Sequence, residues 1–373
     1  MFIVIIFTII VIIYRGIVIF GGFMSLTKKE REQNQETVLR YVWECNNETS
    51  KKRFSLKEIA DRLKVSSASI SRYIEELINK KLIAKVGKNK YQVSDLEYSL
   101  VFNKPFASED RVWKLFVLPK LENKISDCGI KNLNYIFTEI FNNAIEHSEG
   151  DMIQVSLYIN PFRVLVSIID NGIGIFEKIK QNSNLDEKRY AILELAKGKY
   201  TTNPQSHTGE GIFFSSKIAD TFFICSDGLT YAGEGFGLSI LMDSDSFMKK
   251  GTMVFFTVNT STKKSINSVF AKFSATPDSY GFEKTTIAVK LLEFGESVPT
   301  FNSRSQAKRL LARLDRFKSI VLNFEDVDSI GQGFADEIFR VFRNNHRDCE
   351  IKCINVNKKV QFMIDHVTSE ELQ

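Results

Sequence analysis

The chain has 373 residues, of which 43% are hydrophobic and 25% charged, with only 6 Pro. This is ordinary globular composition; it excludes disorder, a collagen-like repeat and a disulfide-built mini-scaffold, and the length suits two or three domains. The formal net charge of +5 is unevenly placed: residues 24–93 hold sixteen Lys/Arg against nine Asp/Glu, residues 1–23 hold only Arg15, and the remainder is left at −3.

A basic segment joined to a mildly acidic body points to a polyanion-binding module. Cys45, Cys128, Cys225, Cys349 and Cys353 are scattered and form no C-x-x-C, so neither a disulfide framework nor a zinc ribbon is expected and a reducing compartment fits. Residues 2–13 (FIVIIFTIIVII) are almost wholly apolar, and 17–23 (IVIFGGF) continue the run. About 20 apolar residues span a bilayer, and Lys28, Lys29 and Arg31 would hold the rest on the cytoplasmic side. A second reading competes. Gly21-Gly22-Phe23 precedes Met24, and two glycine codons can spell a ribosome-binding purine run, which makes Met24 the start and residues 1–23 a translated leader. A cytoplasmic protein is the preferred expectation; a single-pass anchor at residues 1–23 is the alternative.

Leu56–Leu63 reads as a short helix with Leu56, Ile59, Ala60 and Leu63 on one face. Val65-Ser66-Ser67 reads as a tight turn with a Ser cap, and Ser69–Leu77 as a second helix with Ile70, Ile74 and Leu77 inward. Residues 84–93 alternate around Gly87-Lys88-Asn89, as a two-stranded hairpin should. Residues 27–93 thus resemble winged helix-turn-helix DNA-binding domains. The resemblance implies that Ser67, Ser69 and Arg72 face bases and that Lys85, Lys88 and Lys90 meet the phosphate backbone of double-stranded DNA. A domain of this shape used only for protein contacts is the alternative.

Residues 130–147 read as an amphipathic helix with Leu133, Ile136, Phe137, Ile140 and Ala144 on its apolar side. Glu139, Asn143 and His147 fall at i, i+4 and i+8 and line up as a polar stripe, which alone would be a solvated face. Met152–Ile159 and Phe162–Ile169 alternate like two strands joined at Asn160-Pro161. The second ends in Asp170-Asn171-Gly172-Ile173-Gly174. A carboxylate closing a buried strand, followed by spaced glycines, lets the backbone approach a flat ligand. His207-Thr208-Gly209-Glu210-Gly211-Ile212 then opens a helix through Ala219, a natural phosphate cradle, and Gly251-Thr252 begins a strand.

These pieces, in this order, resemble the ATP-binding fold of the GHKL superfamily of gyrase, the heat-shock chaperone ATPase, histidine kinases and mismatch-repair ATPases. The resemblance covers about 150 residues, taken as 105–262. It implies ATP and Mg2+ as cofactors. Asn143 would coordinate magnesium, Glu139 would orient or deprotonate the attacking water or hydroxyl, and Asp170 would accept from the adenine amino group. Gly172, Gly174, Gly209 and Gly211 would shape the pocket and Thr252 would support its adenine end. Residues 176–208 would form the ATP lid, with Lys197, Lys199, Thr201 and Thr202 either on its phosphate side or exposed to solvent. Where the family's second glycine box ends in glycine, Phe213 stands here, which bears on lid flexibility and turnover. The string Gly233-Glu234-Gly235-Phe236-Gly237 lacks a strand-to-helix setting and reads as a hairpin turn.

None of the four His (147, 207, 346 and 366) lies in residues 94–130, so a conventional histidine kinase is not expected. Glu139 to Ser148 (EIFNNAIEHS) looks closest to the anti-sigma-factor serine kinases. Downstream, strands at Thr285–Leu292, Ser319–Phe324 and Ile351–Val356 alternate with helices at Arg304–Leu314 and Phe334–Phe342, which implies a small α/β domain over 280–373. Its loop Asp328-Ser329-Ile330-Gly331-Gln332-Gly333 resembles the phospho-switch loop of STAS-type anti-anti-sigma proteins, except that Ile330 occupies the phosphorylated serine's position. Ser329 then either takes the phosphate or caps the following helix, while Asp336-Glu337 suit that helix's positive end.

The expected fold is therefore α+β and multidomain: a winged helix, a GHKL α/β sandwich with a mixed sheet under helices, and a small STAS-like domain. The expected function is an ATP-binding regulator, transcriptional or stress/defence-related, that binds DNA and switches with ATP-magnesium. A serine/threonine kinase of the anti-sigma type and a DNA-associated ATPase are the rivals. A sigma-type partner protein and a homodimer remain open.

Overall fold

The structure is a computed structural model that describes residues 28–46, 54–104, 107–200, 209–233, 248, 250–274, 281–292 and 301–369. The chain divides into two compact units between Asp95 and Leu96. Among the described residues no helix is long and apolar enough to cross a membrane; residues 1–23 lie outside them.

The first unit packs three helices, α1 (Lys28–Asn46), α2 (Leu56–Leu63) and α3 (Ser67–Asn79), with an antiparallel hairpin of β1 (Ile83–Gly87) and β2 (Lys90–Val93). The Ser55 side chain caps α2 by accepting from the Glu58 amide, and Ser66 caps α3 by accepting from the Ser69 amide at 3.1 Å. Both satisfy an otherwise unpaired first-turn N–H. Val38, Tyr41, Ile59, Ile70, Tyr73, Ile74 and Leu77 fill the space between the helices.

The second unit is built on a sheet whose order is β3-β4-β5-β8-β6-β7, formed by β3 (Leu96–Asn103), β4 (Met152–Ile159), β5 (Arg163–Asp170), β6 (Thr221–Ser226), β7 (Leu229–Ala232) and β8 (Thr252–Asn259). Every pairing is antiparallel, not mixed as expected. The tight Asn160-Pro161 turn is one reason, since only antiparallel neighbours can be joined so briefly. The Asn160 side chain closes it by accepting from the amides of Phe162 and Arg163. Ile153, Val155 and Leu157 on β4, and Val164, Val166 and Ile168 on β5, alternate into the core. There they meet Ile136, Phe137, Ile140 and Ala144 of α4 (Asp127–His147). The segment read as a lid contains two helices, α5 (Ile175–Ser183) and α6 (Arg189–Lys197), and α7 (Gly211–Ile218) follows and packs on α4.

The same unit continues into a parallel sheet of order β11-β10-β9, from β9 (Lys284–Ala288), β10 (Ser319–Asn323) and β11 (Glu350–Ile354). Parallel strands need crossovers. These are supplied by α8 (Arg304–Leu311), which starts in a Ser303/Gln306 capping box, and by α9 (Gln332–Asp336) with the helical turns that continue it to Phe342. Helix α10 (Lys358–Ser369) is the last element among the described residues. Ser329 does not cap α9. Gly331 stands at that position without a side-chain cap, and Ser329 is exposed. Ile330 is buried and bridges to Phe301, so the loop is anchored by its apolar residue.

Candidate functional site

A cavity of about 330 Å³ opens between α4, the β5–α5 turn, α6 and the start of α7. Glu139 and Asn143 face it from α4, one turn apart. Asp170 and Thr252 reach it from the ends of β5 and β8. Gly174, Gly209 and Gly211 form part of its wall. The apolar lining comes from Ile140, Ala144, Ile168, Ile175, Ile179 and Val254.

Asp170 is 6% exposed. Its Oδ1 accepts from the amides of Gly172 (2.9 Å) and Thr252 (3.2 Å). Burial raises its pKa above the ordinary carboxylate value. The two amides, the Thr252 hydroxyl and the charge of Lys104 offset that only in part. The Thr252 hydroxyl also accepts from the Ile175 amide at 3.0 Å, which ties the two strand ends to the turn between them. The acceptor is thus preorganised by backbone groups, with apolar walls beside it. That arrangement suits a flat base bearing an amino group.

Gly172 does not line the cavity. A Cβ there would stand 1.8 Å from the Ser148 carbonyl oxygen, so this glycine lets the turn pack on the end of α4. At Gly211 a Cβ would stand 1.9 Å from Oε2 of Glu139, so the first turn of α7 comes close against that carboxylate. Neighbouring Glu210 is raised in pKa, chiefly by burial and further by the charge of Glu139, while Lys199 opposes the shift. Burial, followed by the charges of Glu139 and Glu210, also raises Tyr135. Glu139 in the cavity wall and Glu210 beside Gly211 are therefore two carboxylates close enough to influence each other.

Among the described residues no group of three or more His, Cys, Asp or Glu converges as a self-contained metal site. Asn143 contributes an amide oxygen beside Glu139. This donor set fits a magnesium ion that takes most of its ligands from phosphates and water, as that ion commonly does.

Among the lining residues that sequence reasoning missed are Ser148, Lys178, Ile179, Leu195 and Tyr200. Ser148 follows His147 as the C-cap of α4 and lies off the four-residue spacing of the stripe, so periodicity gave no signal for it. Lys178 pairs with Glu149 across the mouth. Neither lysine read as a phosphate contact or a solvent-exposed lid residue takes that place. Lys197 is fully buried against α8, and Lys199 lies over the rings of Phe282 and Phe317. Thr201, Thr202 and residues 234–237 lie outside the described residues. Phe213, at the family's glycine position, is 3% exposed and packs on Phe282 with centroids 4.4 Å apart. Its ring serves the core.

In the first unit Ser67, Arg72, Lys85, Lys88 and Lys90 are exposed. Ser69 is partly committed, since its hydroxyl lies 3.0 Å from that of the cap Ser66.

Residues 129–266 match the family model described as histidine kinase-, DNA gyrase B-, and HSP90-like ATPase. Residues 306–361 match a STAS-like domain of unknown function (DUF4325). No curated protein matches the chain. The chain thus carries an ATP-binding domain of the GHKL type followed by a STAS-like domain.

Proposed function

We propose that this protein is a DNA-binding regulator whose GHKL domain acts as an ATP-magnesium switch coupled to the STAS-like domain. The observation that carries the reading is the convergence of Glu139, Asn143, Asp170 and Thr252 on one cavity, within the segment matching the ATPase family. Asp170 accepts from the adenine amino group, and Thr252 holds Asp170 and the turn in register. Asn143 would hold magnesium, which would supply charge neutralisation at the phosphates. In the kinase and ATPase readings below, Glu139 orients the attacking oxygen and takes its proton. Domain limits of 105–262 and 280–373 belong to the same proposal.

The N-terminal segment 27–93 is proposed as a winged helix. Its three helices and hairpin support this, as do the exposed Lys85, Lys88 and Lys90 along the hairpin. Arg72 and Ser67 on α3 would read bases and the hairpin lysines would meet phosphates, with Ser69 mainly serving the helix cap.

A second reading is a serine/threonine kinase of the anti-sigma type acting on its own or a partner's STAS-like domain. The exposure of Ser329 in the loop before α9 favours it. A DNA-associated ATPase is the third. Incubation with γ-labelled ATP separates them. Label retained on protein supports the kinase, and free phosphate the ATPase. Tight binding with neither supports the switch, and absence of binding refutes all three.

A further inference from the structure

Four successive residues, 197–200, run from the end of α6 to the nucleotide cavity, and the groups that hold them come largely from the STAS-like side. The Lys197 side chain is 2% exposed. Its ammonium pairs with Glu194 at 2.6 Å and donates to the carbonyls of Arg309 (2.9 Å) and Ala312 (3.0 Å), at the end of α8. A cation there complements the negative end of the helix and satisfies carbonyls that lack helical partners. The Thr285 hydroxyl donates to the Lys197 carbonyl at 2.8 Å. Gly198 (φ +81°) and Lys199 (φ +53°) then turn the chain, and the Lys199 ammonium donates to the Arg316 carbonyl at 3.3 Å.

Arg313 completes the junction. Its guanidinium donates to the Lys199 carbonyl at 3.0 Å and to Glu194 at 3.4 Å, and lies 4.8 Å from the centre of the Tyr200 ring. Tyr200 lines the cavity, and its hydroxyl bonds that of Ser183 at 3.0 Å. One planar side chain therefore grips the backbone before Tyr200 and the ring of Tyr200 together. A guanidinium does this with its fork and its flat face; an ammonium has neither.

We infer that Arg313, contributed by the STAS-like domain, is a positioning residue of the nucleotide site: it fixes Tyr200 in the cavity wall, so that the STAS-like domain sets nucleotide affinity. Linkage makes the effect reciprocal, so a bound nucleotide steadies the Arg309–Arg316 segment. This rests on the ATP-binding reading above.

The test is calorimetric titration of the full chain with ATP-magnesium, for wild type, R313A, Y200A and the double variant. R313A is expected to weaken binding by about 5-fold or more, the lower range of measured couplings between sites, and the double variant to bind no worse than Y200A. Hydrogen exchange supplies a readout that a merely structural role would not move. ATP should slow exchange at residues 309–316 in wild type and not in R313A. As a control, R340A removes a partner of Asp336 elsewhere in the same domain and should lower the melting temperature while leaving ATP affinity unchanged. If R313A does not fold, R313K carries the same comparison, since it keeps charge opposite Glu194 without stack or fork. Normal wild-type binding with unchanged affinity in R313A, additive losses, or equal loss in R340A would overturn the inference alone. Failure of wild type to bind ATP would remove the reading beneath it as well.

Discussion

Replacing Asp170 by Asn tests the adenine contact with little change of shape. Oδ1 can still accept from the amides of Gly172 and Thr252, which pins the new amide with its NH2 where the second carboxylate oxygen had been. That group donates, and so does the adenine amino group. Losing a charged hydrogen bond costs about 1.5–3 kcal/mol, and leaving the facing groups unsatisfied costs about 1–3 kcal/mol more. The dissociation constant for ATP should rise about 100-fold or more, measured by calorimetry with magnesium present. The apo protein should not suffer. Burial raises the pKa of Asp170 in the native state, so between its ordinary and raised values the native carboxyl binds more protons than the unfolded one. Stability therefore falls as pH rises through that window, and the uncharged Asn escapes this loss. D170N should melt no lower than wild type at pH 7. Unchanged ATP affinity would refute the adenine contact. A large fall in melting temperature would refute the account of how the carboxylate is held.

Three further outcomes are expected. Glu139→Ala should leave ATP affinity within a few-fold and, if the wild type releases or transfers phosphate in the labelled-ATP assay, abolish that turnover; normal turnover would remove Glu139 from the chemistry. Changing Lys85, Lys88 and Lys90 together to Ala should weaken DNA binding and reduce the slope of log affinity against log salt by up to about 3, since each phosphate contact contributes roughly 0.9. An unaltered slope would favour a hairpin that touches protein. Gly172→Ala should destabilise by about 1–3 kcal/mol through overpacking against the Ser148 carbonyl, read as a lower melting temperature; a neutral result would contradict the close approach at that turn.

Much of the site was legible because its residues mark repeating geometry. Glu139 and Asn143 share a face by helical spacing, and Asp170 closes a strand whose Val164, Val166 and Ile168 turn into the core at every second position. What remained hidden lies where partners are distant in sequence. Lys197 looks like a lid lysine until the carbonyl of Ala312, 115 residues later, is found beside it. Gly172 resembles a pocket glycine, and only the folded end of α4 shows what it avoids. Helix α1 gave no strong periodic signal, because its inward face includes Gln35, which pairs with Lys80 and Glu76. Helix α10 was equally quiet, with only Val360 and Val367 buried. Ser329 misled because serine before a helix commonly caps it, whereas here Ile330 anchors the loop and Gly331 starts the helix.

The ring of Phe213 meets Phe282, and Phe282 meets Phe317 edge-on at 5.1 Å, so a continuous run of aromatic contacts crosses from the start of α7 to the entrance of β10. Cutting the chain between the two family-matched segments would strip a partner from each side of that run. A fragment ending near residue 270 would expose bare phenylalanine to water and invite self-association. Recombinant pieces should therefore keep residues 96–369 together, and any enzymology done on a shorter ATPase fragment would report on a surface that the intact protein never presents.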